Sequence, residues 1–229
     1  MASANFVKTG RKIIAIGRNY SEHAKELGNA VPTSPFFFLK PPSSYITNGQ
    51  SIEIPTGCEV HHELELAVII GKNGRDIQAN EADDYISGYA LALDMTARDL
   101  QEQAKKAGRP WSAAKGYDTF TPIGDFIPKE YISDHDNVDL LLQIDGVTKQ
   151  QGNTRDMIFS VPTLIENVSS IMRLEEGDVI LTGTPKGVGP VYPGETITCE
   201  LAFGGKTLSQ LRFSVIDRPK PNSSLASAK

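Results

Sequence analysis

His61-His62-Glu63-Leu64-Glu65-Leu66-Ala67-Val68-Ile69-Ile70 is the stretch on which the reading of this chain turns. Four alternating residues lead into an apolar, β-branched end, a pattern that predicts a strand. Period two puts Glu63 and Glu65 on one face and Leu64 and Leu66 on the other. Same-strand carboxylates of this spacing lie roughly 6.5–7 Å apart at Cα, close enough to converge on one ion. The leucine face belongs in a core, with the glutamates at its edge. Two like charges held there are costly unless a cation or a shared proton relieves them.

Working outward, Tyr89 to Thr96 forms a second apolar strand that ends in Asp94, just before a helix start. Three carboxylates at strand ends, with no cysteine beside them, suit a hard cation such as Mg²⁺, Mn²⁺ or Ca²⁺. The plain alternative is a solvated sheet face for the glutamates and a turn residue for Asp94, and the pattern alone does not choose.

With 229 residues the chain suits one domain with an ample core. Its formal net charge of -5 is spread among interspersed charges, so no basic patch invites nucleic acid. No apolar run approaches the roughly 18 residues of a membrane span. Cys58 and Cys199 match neither a disulfide framework nor a zinc spacing, which points to a reduced, intracellular compartment. Lys8, Arg11 and Lys12 precede the first acid, Glu22, and hint at a short presequence. That leaves the mitochondrial matrix or the cytoplasm. We expect an N-terminal extension over 1–11, one catalytic domain over 12–217 and a flexible tail over 218–229.

In chain order, Lys12 to Gly17 reads as a strand, and Ser21 to Gly28 brackets a short helix bearing His23 and Glu26 at i, i+3. A carboxylate beside an imidazole raises its basicity, although spacing alone favours two ordinary surface residues. Phe36 to Lys40 reads as a core strand entering the Pro41-Pro42 turn, with Lys40 facing either surface or site. Ser51 to Pro55 is a short strand, and Asn80 caps a small helix from Glu81 to Tyr85. Thr96 and Asp99 make a capping-box-like start for a helix over Ala97 to Ala107. Arg98 and Gln101 share one of its faces, near Asp94. Lys115, between small residues and Gly116, is able to approach a ligand closely.

Asp145-Gly146 predicts a type I′ hairpin. Val161 to Arg173 predicts a helix with Leu164, Ile165, Val168, Ile171 and Met172 as its buried face. Thr182 to Pro190 holds three glycines and two prolines, which excludes helix and regular strand. Its N–H groups and Thr184 suit a carboxylate, whereas a phosphate P-loop would need another spacing. Short strands outnumber helices and no βαβ period appears. The expected fold is α+β, a rolled, mostly antiparallel mixed sheet with a few short helices.

HHELELAVII, GYALALDMTARDLQ, PWSAAKGYDTFTPIG and ILTGTPKGVGPV, with IIAIGRNYSEHAKELG and FFFLKPPSS before them, together resemble the fumarylacetoacetate hydrolase superfamily. The likeness is to its small single-domain acylpyruvase branch, also described as oxaloacetate decarboxylases and tautomerases, and runs from about Lys12 to about Val215. The resemblance implies that Glu63, Glu65 and Asp94 bind one Mg²⁺ or Mn²⁺ per subunit, and that His23 and Glu26 form a water-activating pair on a lid helix. It further implies that Lys115 holds the substrate or its enolate, and that Arg18, Arg98, Gln101, Gly183 and Thr184 contact a small 2-oxo acid. A homodimer is implied too, and the apolar FFFL and VII segments point the same way. The implied chemistry is acylpyruvate hydrolysis, oxaloacetate decarboxylation or keto–enol tautomerisation. Two rivals stand beside it: a non-catalytic metal-binding scaffold, and a glycosidase using Glu63 and Glu65. The second is disfavoured because same-strand carboxylates point in parallel and do not face each other across a sugar.

Overall fold

The structure, a computed structural model, describes residues 2–26 and 31–219, without the side chains of residues 2, 3 and 23–25. Its larger sheet has eight strands. Across it lie Phe37–Lys40, Ile13–Ile16, Val179–Leu181, Leu64–Ile70, Ile86–Leu93, Thr121–Ile123 and Tyr45–Thr47, with Ile127–Pro128 also paired to Ile86–Leu93. Two of its pairings are parallel, Ile13–Ile16 with Val179–Leu181 and Tyr45–Thr47 with Thr121–Ile123. A second sheet runs Val147–Asn153, Val138–Ile144, Thr196–Phe203, Lys206–Asp217 and Ser51–Ile54. A small third sheet joins Gly189–Pro190, Val60–His62 and Thr96–Ala97. The α-helices are short, the longest being Val161–Ile171. This is the α+β architecture expected, with curled mixed sheets and few helices.

The central strand is broken once. Val60–His62 and Leu64–Ile70 are separate strands, and Glu63 sits at the break, its carbonyl accepting from Asp94 N at 2.8 Å. Beyond the break Leu64, Leu66, Val68 and Ile70 enter the main core with Leu140, Leu142, Leu201, Phe213 and the helix residues Leu164, Ile165 and Val168. Ala67 and Ile69 point the other way, into a smaller core with Ile13, Ala15, Ala90, Ala92, Val179 and Leu181. Both faces are therefore covered. That is why the alternating pattern gives way to a continuous apolar run after Leu66. Glu65 lies on the small-residue face by the same alternation.

Local departures from the sequence pattern have local causes. Thr96 does not cap the following helix. Its hydroxyl donates to Glu63 instead, and Arg98–Lys106 starts after Ala97 without a side-chain cap. The helix predicted over Glu81 to Tyr85 with Asn80 as its cap is a 3₁₀ segment, Ala79–Tyr85, with no side-chain cap. Ile171 is 65% exposed, because the helix ends there and Met172 turns extended and packs on the core in its place. Asp145 (φ 49) and Gly146 (φ 80) make the expected hairpin turn, both residues in the left-handed region that type I′ requires. The Gly28 helix stop and residues 220–229 lie outside the described residues.

Of the segments invoked for a dimer, Val68 to Ile70 is wholly buried within the chain, so it offers nothing to a partner. Leu39, on the edge strand Phe37–Lys40, is 46% exposed. Two residues ahead of Lys12, Phe6 and Val7, pack on the fold: Phe6, from the helix Phe6–Thr9, is 2% exposed in the smaller core, edge-on to Tyr45 with ring centroids 6.3 Å apart. Removing a buried phenylalanine side chain typically costs about 3–5 kcal/mol. Phe6→Ala is therefore expected to lower the urea midpoint with an unchanged m-value. A midpoint equal to that of the unaltered chain would show that this helix does not contribute to the core.

Candidate metal and substrate site

Three strand ends bring the acids together. Glu63 stands at the break before Leu64–Ile70, Glu65 follows one pleat later, and Asp94 ends Ile86–Leu93 beside them. All three are buried, and one carboxylate oxygen from each lies within 4.8 Å of the others. The donors are oxygens only, from three carboxylates, which suits Mg²⁺ or Mn²⁺ and not a thiophilic metal. Glu65 feels the arrangement most. Burial, then the charges of Asp94 and Glu63, push its carboxyl well above the usual range. A divalent cation would relieve this strain.

Cations of the chain already surround the cluster. Lys115 donates to Glu63 Oε2 at 2.9 Å and Asp94 Oδ2 at 2.6 Å. Burial opposes the charge on Lys115, but Asp94 and Glu63 outweigh it and raise its pKa. Lys40 donates to Asp94 Oδ1 at 2.6 Å, and burial holds its pKa below the usual lysine value against the pull of Asp94. Arg98 donates to Glu63 Oε1 at 2.5 Å and to Gln101 Oε1 at 2.5 Å, so these two residues of the Arg98–Lys106 helix act as a pair. Lys115, singled out from the sequence, is thus joined at the acids by Lys40 and Arg98.

The Gly-Pro loop closes one side. Gly183 N donates to Glu65 Oε2 at 2.7 Å. Its φ of +99 and the 2.7 Å that a Cβ would leave to Asn19 Cβ both require glycine there. Asn19 is fully buried and pins the loop: its Nδ2 donates to the carbonyls of Thr182 and Phe159, and its Oδ1 accepts from Phe159 N. Behind the loop, Gln150 contacts His62, Leu64, Thr184 and Pro185. Burial lowers the His62 pKa to about 4, so this imidazole is neutral at physiological pH.

Of the residues singled out from the sequence, Glu63, Glu65, Arg18, Arg98, Gln101, Lys115 and Thr184 line one cleft, shared with Phe38 and Trp111. Arg18, at φ +57, lies over the Phe36 ring at 5.7 Å. Asp94 sits behind the cleft under the two lysines. Glu26, at the end of the helix Ser21–Glu26, accepts from Gly187 N at 3.0 Å and so ties that helix to the loop. The side chain of His23 lies outside the described residues. Lys40 was the residue left open by the sequence; it shares a strand face with Phe38, and a lysine in that register of an apolar strand is the signal that placed it inside. Asn19, Thr96, His62 and Gln150 carry no such signal, because their partners are 33 to 163 residues away.

Comparison with known proteins follows the same lines. Residues 12–216 match the family described as fumarylacetoacetate (FAA) hydrolase C-terminal. The mitochondrial oxaloacetate decarboxylase of Dictyostelium discoideum is 61% identical over 196 residues, covering 85% of this chain and 90% of that protein. The mitochondrial oxaloacetate tautomerase FAHD1 of Arabidopsis thaliana is 58% identical over 215 residues, covering 93% of this chain and 95% of its own. A fumarylpyruvate hydrolase from Pseudomonas aeruginosa, solved in complex with Mn²⁺ and pyruvate, superposes with a TM-score of 0.84 at 35% identity, covering 91% of this chain and 90% of that one. An oxygen-lined acidic cluster at strand ends, a curled mixed sheet and a match over nearly the whole chain make this protein an enzyme of the fumarylacetoacetate hydrolase family.

Proposed function

We propose that the chain acts on oxaloacetate, interconverting its keto and enol forms and decarboxylating it, with one Mg²⁺ or Mn²⁺ per subunit held by Glu63, Glu65 and Asp94. The observation that carries this reading is the meeting of three carboxylates and three cationic side chains in one buried cluster, of which Glu63, Glu65, Arg98 and Lys115 line the cleft. Bound there, the dication would supply Lewis-acid polarisation of a 2-oxo acid's carboxylate and keto oxygens. The rest of the cleft is then suited to an anion. Lys115 presents an ammonium group to negative charge developing on the C2 oxygen, and Arg98 with Gln101 orients the substrate. Thr184 receives its acid group, while the Gly183 N–H stays on Glu65 and the Gly187 N–H on Glu26.

The bond changes differ between the two reactions. In tautomerisation a proton leaves C3 and another arrives at the C2 oxygen, with no other bond broken. In decarboxylation the C3–C4 bond breaks, its electron pair enters the C2=C3 enolate, CO₂ leaves, and C3 afterwards takes up a proton. His23 with Glu26 supplies the base and acid for proton movement at C3 from the Ser21–Glu26 helix, which its tie to Gly187 holds against the loop. A second reading, hydrolysis of acylpyruvates with His23 activating water, is favoured by the likeness to the fumarylpyruvate hydrolase. The compartment proposed is the mitochondrial matrix, after the relatives named as mitochondrial. No helix among the described residues is long and apolar enough to cross a membrane.

Progress curves with keto oxaloacetate, enol oxaloacetate and acetylpyruvate, with and without EDTA, test this function. EDTA is expected to abolish turnover and added Mg²⁺ or Mn²⁺ to restore it. Glu65→Ala is expected to be inactive in both conditions; full activity in that variant would remove the acidic cluster from the mechanism. General-base catalysis typically contributes roughly 10²–10⁴-fold, so His23→Ala is expected to lower acetylpyruvate hydrolysis and tautomerisation by about that factor. Decarboxylation falls much less, since Lys115 and the acids remain. Equal losses in all three would mean that His23 organises the lid and moves no proton. We further propose a homodimer, with the exposed edge at Leu39 in its interface. Light scattering at micromolar concentration is expected to give twice the chain mass, and Leu39→Lys to shift it toward one; a monomer throughout would refute the dimer.

A further inference from the structure

Gln150, on the strand Val147–Asn153, is fully buried and spends its whole amide on the site. Its Oε1 lies 3.0 Å from Leu64 N and 2.8 Å from His62 Nδ1. Its Nε2 lies 2.8 Å from Pro185 O and 2.8 Å from Thr184 Oγ1. The two backbone partners fix which end of the amide is which, because a peptide N–H only donates and a carbonyl only accepts. Two consequences follow. Oε1 has no hydrogen to offer, so His62 Nδ1 must be the donor in that contact, whatever the charge on the ring. Nε2 donates to Thr184 Oγ1, so that oxygen is an acceptor on its inner side.

A threonine hydroxyl ordinarily rotates between donating and accepting. Here one lone pair is held from behind, and the hydrogen is left for another direction. Thr184 lines the cleft beside Glu65, Lys115 and Arg98, and no acceptor for that hydrogen stands among the described residues. We infer that Gln150 is a positioning residue that sets the polarity of Thr184, turning its hydroxyl hydrogen into the cleft as a fixed donor to the carboxylate of the 2-oxo acid. The wiring runs in one direction: the Leu64 N–H and the His62 ring donate to the Gln150 amide, the amide donates to Thr184, and Thr184 donates to the substrate. Each bond in such a chain polarises the next. The same amide also holds Leu64 and His62, the residues on either side of Glu63. This inference rests on the proposed contact between Thr184 and the acid group.

The test uses oxalate, a planar mimic of the pyruvate enolate, titrated calorimetrically into the Mg²⁺-loaded protein. A hydrogen bond to a charged group corresponds to roughly ten- to a hundredfold in affinity, so Thr184→Val is expected to weaken oxalate by about that factor. Gln150→Glu keeps the shape but has no N–H, so Thr184 must donate backwards and the cleft loses its donor. It is expected to weaken oxalate by about tenfold more in the presence of Thr184 than in the Thr184→Val background, where only the added charge still counts. Equal factors in the two backgrounds would overturn the inference. A Thr184→Val variant with unchanged affinity would instead remove the Thr184 contact itself, and with it both readings. Independently of any variant, ¹⁵N spectra of the unaltered protein are expected to show His62 protonated at Nδ1; a ring protonated at Nε2 alone would overturn the wiring.

Discussion

Three carboxylates confined within 4.8 Å of one another, out of water, are the constraint to which the rest of this structure answers. Charged groups of one sign resist such burial strongly, and they are tolerated where opposite charges and hydrogen-bond donors meet them. Each acid has its own set. Glu63 receives Thr96, Arg98 and Lys115; Asp94 receives Lys40 and Lys115; Glu65 receives the Gly183 N–H. Those donors come from an edge strand, the short strand Thr96–Ala97, two helices and a loop. Displacing any of these elements would take a donor from a buried carboxylate. The site therefore constrains the fold as much as the fold builds the site.

Space for this cluster comes from small residues. On the face of the larger sheet that carries Glu65, Ala15, Ala67, Ala90 and Ala92 stand among Ile13, Ile69, Val179 and Leu181, with Ala92 paired to Glu65, whereas the opposite face carries mostly leucines, isoleucines and valines into the main core. Small side chains let the lysine stems and the loop approach the strand ends without steric conflict. Phe6 fills what the alanines leave open farther along, which gives the segment ahead of the first strand a structural part. Asymmetry between the two faces thus divides the labour: one side supplies cohesion, the other supplies room for chemistry.

Two elements border the cleft without belonging to the sheets. The loop Thr182 to Pro190 is pinned by Asn19 and Gln150, and the Ser21–Glu26 helix is tied to it through Glu26 and Gly187. A helix of six residues has little stability of its own, so contacts of this kind decide its position. The proposed base, His23, thereby depends on the loop that also receives the acid group. Loop and lid would then respond together when a substrate binds.

By itself the sequence determined what local chemistry can encode. The alternation in Glu63 to Leu66 and the apolar run after it made a strand and paired two carboxylates, and Asp145-Gly146 made a tight hairpin. The spacing of Arg98 and Gln101 made them neighbours on one helix turn. Those are consequences of backbone periods and φ preferences, which reach only a few residues along the chain. Tertiary structure decided the rest. Thr96 follows a capping pattern yet serves Glu63, since its partner comes from another strand. Ile171 follows a buried pattern yet lies in water, because the core ends before the helix does. Asn19, His62 and Gln150 gain their meaning from contacts across dozens of residues, and no periodicity records where a chain will return. Which side chains surround a buried charge is settled only when the sheet curls and brings its distant strand ends to one place.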